Sequence, residues 1–290
     1  MTYSERPWQA PASRSARHGR AGLARQLGLG LRALRARQWA HFVPLPLAGA
    51  PLGDMLSGTC SMGPVLWGIL AGALCLACAY GLNAHGDRGS DAPGKNPLVG
   101  AEVGNAALVP ALACGVLAMV AAGHSGGLGA AAVSLTTGAL YSVGPRLKRL
   151  PGVGTLANAA IFAPLLALVG APREPGFWGM SLVFTALLLQ NQLVHERADV
   201  GEDRRAGAYT TAQWLGHAGV AAAGRWLAVG GSLAAAALLG PWPALGGATG
   251  LAFGAWLIGQ ADPARARRRH RALALATGAV IYALAPGGAG

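Results

Sequence analysis

Seven of the eleven acidic residues in this chain stand in two short segments between hydrophobic spans. Asp87, Asp91 and Glu102 belong to the first; Glu196, Asp199, Glu202 and Asp203 belong to the second. The first string reads Asn83-Ala-His-Gly-Asp87-Arg-Gly-Ser-Asp91, and the second His195-Glu-Arg-Ala-Asp199-Val-Gly-Glu-Asp203. Each is built on Asp-x-x-x-Asp. Residues four apart share a helix face, so each string presents two carboxylates side by side, with Asn83 and Glu196 about one turn earlier. Such carboxylates repel one another unless a positive charge stands among them. A Mg2+ ion held by Asn83, Asp87, Asp91, Asp199 and Asp203 supplies that charge and keeps coordination positions for water or phosphate oxygens. Arg88, Lys95, Arg146, Lys148 and Arg204, in basic segments expected near the same mouth of the bundle, are the candidates to hold the rest of a phosphate's charge. No Gly-rich loop ending in Lys-Ser or Lys-Thr occurs, which argues against a nucleotide triphosphatase.

The elements that must position these residues are hydrophobic. Of the 290 residues 53% are hydrophobic and 12% charged, against about 25% charged in an average soluble domain. The 45 glycines suit helices packed closely in lipid. The net charge of +12 is dispersed in loops and at the N-terminus, so anionic lipid, not nucleic acid, is the expected partner. Cys75 and Cys78 form a C-x-x-C inside an apolar run; without a second Cys or His pair they read as small helix residues, not zinc ligands.

Residues 1–37 form a basic tail in which Leu23, Leu27, Leu31 and Leu34 recur at helical spacing, an amphipathic surface helix. Residues 38–290 form the membrane domain. Its apolar runs, at 40–56, 64–82, 106–123, 127–144, 155–172, 176–194, 218–239, 243–260 and 272–286, predict an all-α, multi-pass bundle of about nine transmembrane helices. Positively charged loops at 83–105, 145–154, 195–217 and 261–271 put the N-terminus and both acidic strings on the cytoplasmic side of the cell (inner) membrane. Acidic segments follow the second and sixth spans and basic ones the fourth and eighth, a spacing that suggests two related four-helix units.

The two strings resemble the paired Asp-rich motifs of the UbiA superfamily of intramembrane prenyltransferases. Asn83, Asp87 and Asp91 match the first motif. Asp199-Val-Gly-Glu-Asp203-Arg-Arg-Ala-Gly207-Ala-Tyr-Thr210, with Leu215-Gly216 beyond it, is similar to the second. Tyr141-Ser-Val-Gly-Pro145-Arg-Leu-Lys148-Arg resembles the family's Tyr/Lys segment, and Leu34-Arg-Ala-Arg-Gln-Trp39 the approach to its first helix. Ala84, Lys95-Asn96-Pro97-Leu98 and the pair His195, Glu196 depart from the common pattern at positions that shape the acceptor pocket.

The resemblance implies Mg2+-dependent transfer of an isoprenyl chain from a prenyl diphosphate to a lipophilic or aromatic acceptor, with Mn2+ able to substitute. Asp87, Asp91, Asp199 and Asp203 would then be catalytic, and Asn83, Arg88, Lys95, Tyr141, Arg146, Lys148, Glu196 and Arg204 substrate-binding. Two other readings stay open: a terpene cyclase using the same ionisation, and a non-enzymatic membrane transporter. Transporters place ionisable residues near mid-membrane, and the spans here carry almost none, Arg225 being the main exception. Acceptor identity, prenyl length and oligomeric state are not legible in the residues.

Overall fold

A computed structural model describes residues 20–49, 61–91, 94–169, 175–205 and 207–284. Its helices are α1 (Arg20–Ala33), α2 (Ala36–Trp39), α3 (Met62–Asp87), α4 (Val109–Ser125), α5 (Leu128–Ser142), α6 (Val153–Phe162), α7 (Pro175–Arg205), α8 (Thr211–Leu238), α9 (Pro241–Ile258) and α10 (Pro263–Leu284). No strand occurs among the described residues. The all-α expectation holds, and eight of the nine expected spans coincide with α3 to α10. The first does not form one helix where it is described. Residues 40–42 and Leu45–Gly49 are short 3-10 turns, because Pro44 and Pro46 remove backbone donors from the run. The rest of that run, most of the basic tail and Cys60 lie outside the described residues.

Large apolar side chains lie on the outside of the bundle as well as inside it. Small side chains fill the helix contacts, among them Ala71, Ala118, Ala122 and Ala131, while Leu66, Val116, Trp226, Leu233 and Trp242 face outward. Large apolar groups on the outside need lipid around them. Four described helical stretches are long and apolar enough to cross a bilayer: Met62–Asp87, Asn105–Ser125, Pro175–Arg205 and Thr211–Leu238. The chain is a multi-pass membrane protein.

The helices pack as two groups of four. In the first, α3 lies against α4 and α5, and α5 against α6; in the second, α7 lies against α8, α9 and α10. The two acidic strings thus sit on the leading helix of each group, in line with the sequence spacing. Gln190, fully buried on α7, holds the second group together. Its Nε2 donates to Gly224 O of α8 (2.9 Å) and Leu251 O of α9 (3.1 Å), and its Oε1 faces His270 of α10. A buried polar network that ties three helices to one side chain fixes how neighbouring helices are set.

The strings are helical apart from the turn at residues 88–91. Asn83 and Asp87 form the last turns of α3, and the whole second string lies within α7. At 1.5 Å per residue the 31-residue α7 is roughly 46 Å long, well beyond about 30 Å of hydrocarbon. Its last turns, 195–205, therefore project past the membrane as a polar extension. Likewise the basic segment 263–271 is the opening of α10, not a loop. The surface helix α1 presents Leu23 and Leu31 outward and packs Gly30 and Ala33 inward. Gln26 clamps it in place, donating to Glu102 O (2.7 Å) and accepting from Gly104 N (2.8 Å).

Candidate active site

Asp87 ends α3 beside the turn that follows α5. The close approach depends on Gly86, where a Cβ would stand 2.2 Å from Ser142 O. With the helices in contact, Arg146 Nη2 donates to Asp87 Oδ1 (3.1 Å) and to Gly86 O (2.7 Å). Lys148 Nζ donates to the same carboxylate oxygen and to Asn83 Oδ1 (3.2 Å). Burial pulls the Lys148 ammonium below its ordinary pKa, and Asp87 opposes that fall.

Asp91 lies just past α3, its side chain 11% exposed. Arg35 and Lys95 reach it at 4.0 and 3.9 Å. Its Oδ2 nevertheless accepts no hydrogen bond among the described residues. Burial and the neighbouring Asp87 charge raise its pKa. Arg35 Nη2 also donates to Lys95 O (2.9 Å), tying the start of the chain to the segment after α3. Arg35 and Arg146 are the non-glycine residues with positive φ among those described, at 53° and 51°. Strained backbone held by ion pairs on both sides of one acidic string is characteristic of functional sites.

On α7, His195 Nδ1 stands 3.0 Å from Asp199 Oδ2, and Arg267 Nη2 lies 2.8 Å from His195 Nε2. Arginine can only donate, so Nε2 accepts and the ring proton is on Nδ1, directed at Asp199. Arg267 also stands 3.8 Å from Asp199 Oδ1. Burial works against ionisation of Asp199, but His195 and Arg267 outweigh it and hold the carboxyl below its ordinary pKa. The Asp203 carboxylate, one turn on, makes no hydrogen bond or ion pair among the described residues. Burial and the Asp199 charge push it up to about 6.

Lys95 joins the strings. Its Nζ pairs with Glu202 at 2.7 Å while facing Asp91. Burial disfavours its charge, but Glu202, Asp199 and Asp91 overcome this and raise its pKa. Asn96 fixes the segment carrying it, donating to Ala84 O (2.7 Å) and accepting from Leu98 N (3.0 Å). Asp87, Asp91, Asp199, Asp203, Asn83, Lys95, Arg146 and Lys148 thus gather at one end of the bundle.

Other expected site residues lie apart from that cluster. Arg88 and Arg204 are exposed to solvent. Glu196 is buried, accepting from Thr155 Oγ1 (2.8 Å), Gln192 Nε2 (3.2 Å) and Ala212 N (3.0 Å). Its contact with Ala212 places a carboxylate on the first turn of α8, where free N–H groups and the helix dipole favour an anion. Four residues later α8 bends at Gly216, whose φ of 65° favours glycine. Tyr141 is half-buried near the end of α5 and hydrogen-bonds Asn158.

The structure adds Arg35, Arg267, His195 and Glu202 to the expected set. Arg35 was visible as part of Leu34-Arg-Ala-Arg-Gln-Trp39. Arg267 was hidden among the charges of an apparent loop.

Among the described residues no group of three His, Cys, Asp or Glu side chains stands close enough to hold a metal ion. Cations from lysine and arginine lie between the acids instead. The donor set still suits a hard divalent cation: Asp91 Oδ2 is a buried carboxylate oxygen that accepts no hydrogen bond and has Arg35 only at 4.0 Å, the Asp203 carboxylate has no ion pair among the described residues, and oxygen ligands with phosphate are what Mg2+ takes.

A multi-pass helical bundle carrying two acidic strings and a set of cations at one end is a membrane protein equipped to meet a polyanion. The chain belongs to the UbiA prenyltransferase family, whose model matches residues 48–283. No curated protein matches it in sequence. The fold is similar to a UbiA homolog from Archaeoglobus fulgidus bound to GPP and Mg2+, with TM-score 0.67 and 17% identity, covering 88% of this chain and 100% of that one. It is also similar to a digeranylgeranylglyceryl phosphate synthase (TM-score 0.67, 13% identity, 90% and 100% covered). The apo structure of a UbiA homolog from Aeropyrum pernix K1 gives TM-score 0.61 and 18% identity, covering 84% and 96%.

Proposed function

We propose that the chain is a Mg2+-dependent prenyltransferase that moves an isoprenyl group from its diphosphate to a membrane-dissolved acceptor. The observation that carries this reading is the position of Lys95, in contact with Glu202 and Asp91 at once: both acidic strings serve one site. The relative bound to GPP and Mg2+ supports it. Asp87, Asp91, Asp199 and Asp203, with Asn83, would hold Mg2+, Mn2+ being an alternative; when bound, the metal neutralises the diphosphate and stabilises it as a leaving group.

The chain's own residues account for the rest. Lys148 and Arg146 hold phosphate oxygens next to Asp87, and Lys95 and Arg35 do so next to Asp91. Their charge grows in value as the allylic C–O bond breaks and negative charge collects on the departing diphosphate. The apolar interior beneath excludes water, so the allylic cation meets the acceptor. Tyr141, in the segment that leads to Lys148, would face that cation with its ring. Glu196 positions α8 against α7 and keeps the second string in place. The site opens on the cytoplasmic face of the cell (inner) membrane, a reading that the bias of Lys and Arg to the segments at this end supports.

Membranes containing the protein, incubated with labelled prenyl diphosphates and total lipid extract, test this by mass spectrometry. A labelled product larger than the donor chain, formed only with extract, is the expected result. A labelled hydrocarbon or prenyl alcohol formed without extract would favour the cyclase reading.

A further inference from the structure

The opening of α10 carries Arg265, Arg267, Arg268, Arg269 and Arg271, and these do not share one fate. Arg268 and Arg269 are exposed, and Arg265 pairs with Asp262 outside the bundle. Arg267 turns inward to Asp199 and His195. Arg271 follows one turn later on the same face, and it has no hydrogen bond or ion pair among the described residues.

Arg271 instead lies on the wall of an apolar cavity of about 350 Å³ between α7, α10 and residues 41–47. The cavity continues along α10 past Ala274 and Gly278 to Tyr282, roughly 16 Å at 1.5 Å per residue. Besides Tyr282 at its far end, His41 and Asn191 are its other polar lining residues. His41 Nε2 and Asn191 Oδ1 are buried without a hydrogen-bond partner among the described residues. A guanidinium cannot discard its proton, and an unpaired charge facing a low-dielectric space is costly. The charges around it do not help: Arg267, Arg35 and Arg271 all act on Tyr80, and the carboxylates within reach of Arg267 and Arg35 are already paired with them. One cation in this group has no counter-ion.

We propose that Arg271 selects the acceptor: it pairs with an anionic head, a phosphate or carboxylate, on an amphiphile whose apolar body fills this cavity, while His41 and Asn191 hydrogen-bond polar groups of the same head. This rests on the prenyltransferase reading, and deepens it by giving the acceptor a charge. The head then sits one helical turn from the Arg267–Asp199 pair, close to where the donor's diphosphate departs.

The test uses the purified full-length protein in neutral detergent, with dodecyl phosphate and dodecanol as matched probes and native mass spectrometry as readout. Dodecyl phosphate is expected to bind at least about tenfold more tightly than dodecanol. Arg271→Gln removes that difference, Arg271→Lys keeps part of it, and Gly278→Trp, at a position with nothing within 4 Å of an added Cβ, weakens both probes. Geranyl diphosphate with Mg2+ is measured on the same samples and is expected to change less than about twofold in Arg271→Gln and Gly278→Trp.

Equal binding of the two probes, or full binding by Arg271→Gln, overturns the proposal. Loss of geranyl diphosphate binding in either variant overturns it too, by giving the cavity to the donor. Displacement of dodecyl phosphate by phosphatidylglycerol at equal concentration would assign the site to bulk lipid and likewise overturn it. If the unaltered protein fails to bind geranyl diphosphate at all, the prenyltransferase reading itself fails, a result distinguishable from the others.

Discussion

Lys95 and Glu202, 107 residues apart in the chain, meet in a 2.7 Å ion pair at the polar end of the bundle. Because the same ammonium faces Asp91, the contact bridges the acidic string that ends α3 and the one that ends α7. A site that must grip one diphosphate from two sides needs such a bridge, and a lysine between acids is displaced without bond breaking when a more highly charged cation enters.

Removing either string's leading carboxylate should end transfer. Asp87→Ala and Asp199→Ala are expected to lower turnover at least about a hundredfold, the scale set by losing an electrostatic group that acts on developing charge. Membrane insertion and elution on purification should not change. Initial rates with labelled prenyl diphosphate check this.

Lys148→Ala should act on donor binding. Its ammonium touches both Asp87 and Asn83, so its loss is expected to raise KM for the prenyl diphosphate about tenfold and leave the helical circular dichroism spectrum intact. An unaltered KM would separate Lys148 from the phosphate.

Glu196 should behave as a structural residue. Glu196→Ala leaves Ala212 N and the Thr155 hydroxyl without their acceptor, at about 1–3 kcal/mol for a buried unsatisfied group. A fall of several degrees in Tm is expected, with little change in KM for the donor. A raised KM at unchanged Tm would return Glu196 to the substrate.

Metal use should depend on pH through Asp203. Its carboxyl is raised to about 6 in the metal-free protein, so below that pH it binds a proton that a cation must displace. The Mg2+ concentration for half-maximal rate is therefore expected to climb as pH falls from 7 to 5.5 and to stay level above 7. Removal of metal with EDTA should abolish turnover, and Mg2+ or Mn2+ should restore it.

Much of this site was legible in the residues because its spacing is helical. Asn83 and Asp87, four apart, do share a face of α3, and Lys148 follows α5 in a recognisable segment. What hydropathy concealed was helix outside the membrane. Residues 195–205 and 263–271 are charged enough to read as loops, yet both continue helical, because charged side chains on a helix extending past lipid are simply solvated. Arg267 and Arg271 could have been found from the inward stripe of α10, Ala266, His270, Thr277 and Ile281, because each arginine directly follows one of its members. The first apolar run misled in the opposite sense: its length suggests a span, but Pro44 and Pro46 break the described part into short turns. Glu196 reads as a site acid by proximity alone; only the packing of Thr155 and Ala212 around it shows its present use.

Binding of geranyl diphosphate to metal-depleted protein, titrated with Mg2+, tests most directly whether both strings hold one diphosphate. Tight binding should require Mg2+, and Asp91→Asn in the first string and Asp203→Asn in the second should each weaken it at least about tenfold. Affinity that is independent of Mg2+, or that responds to one string and ignores the other, would contradict a shared site.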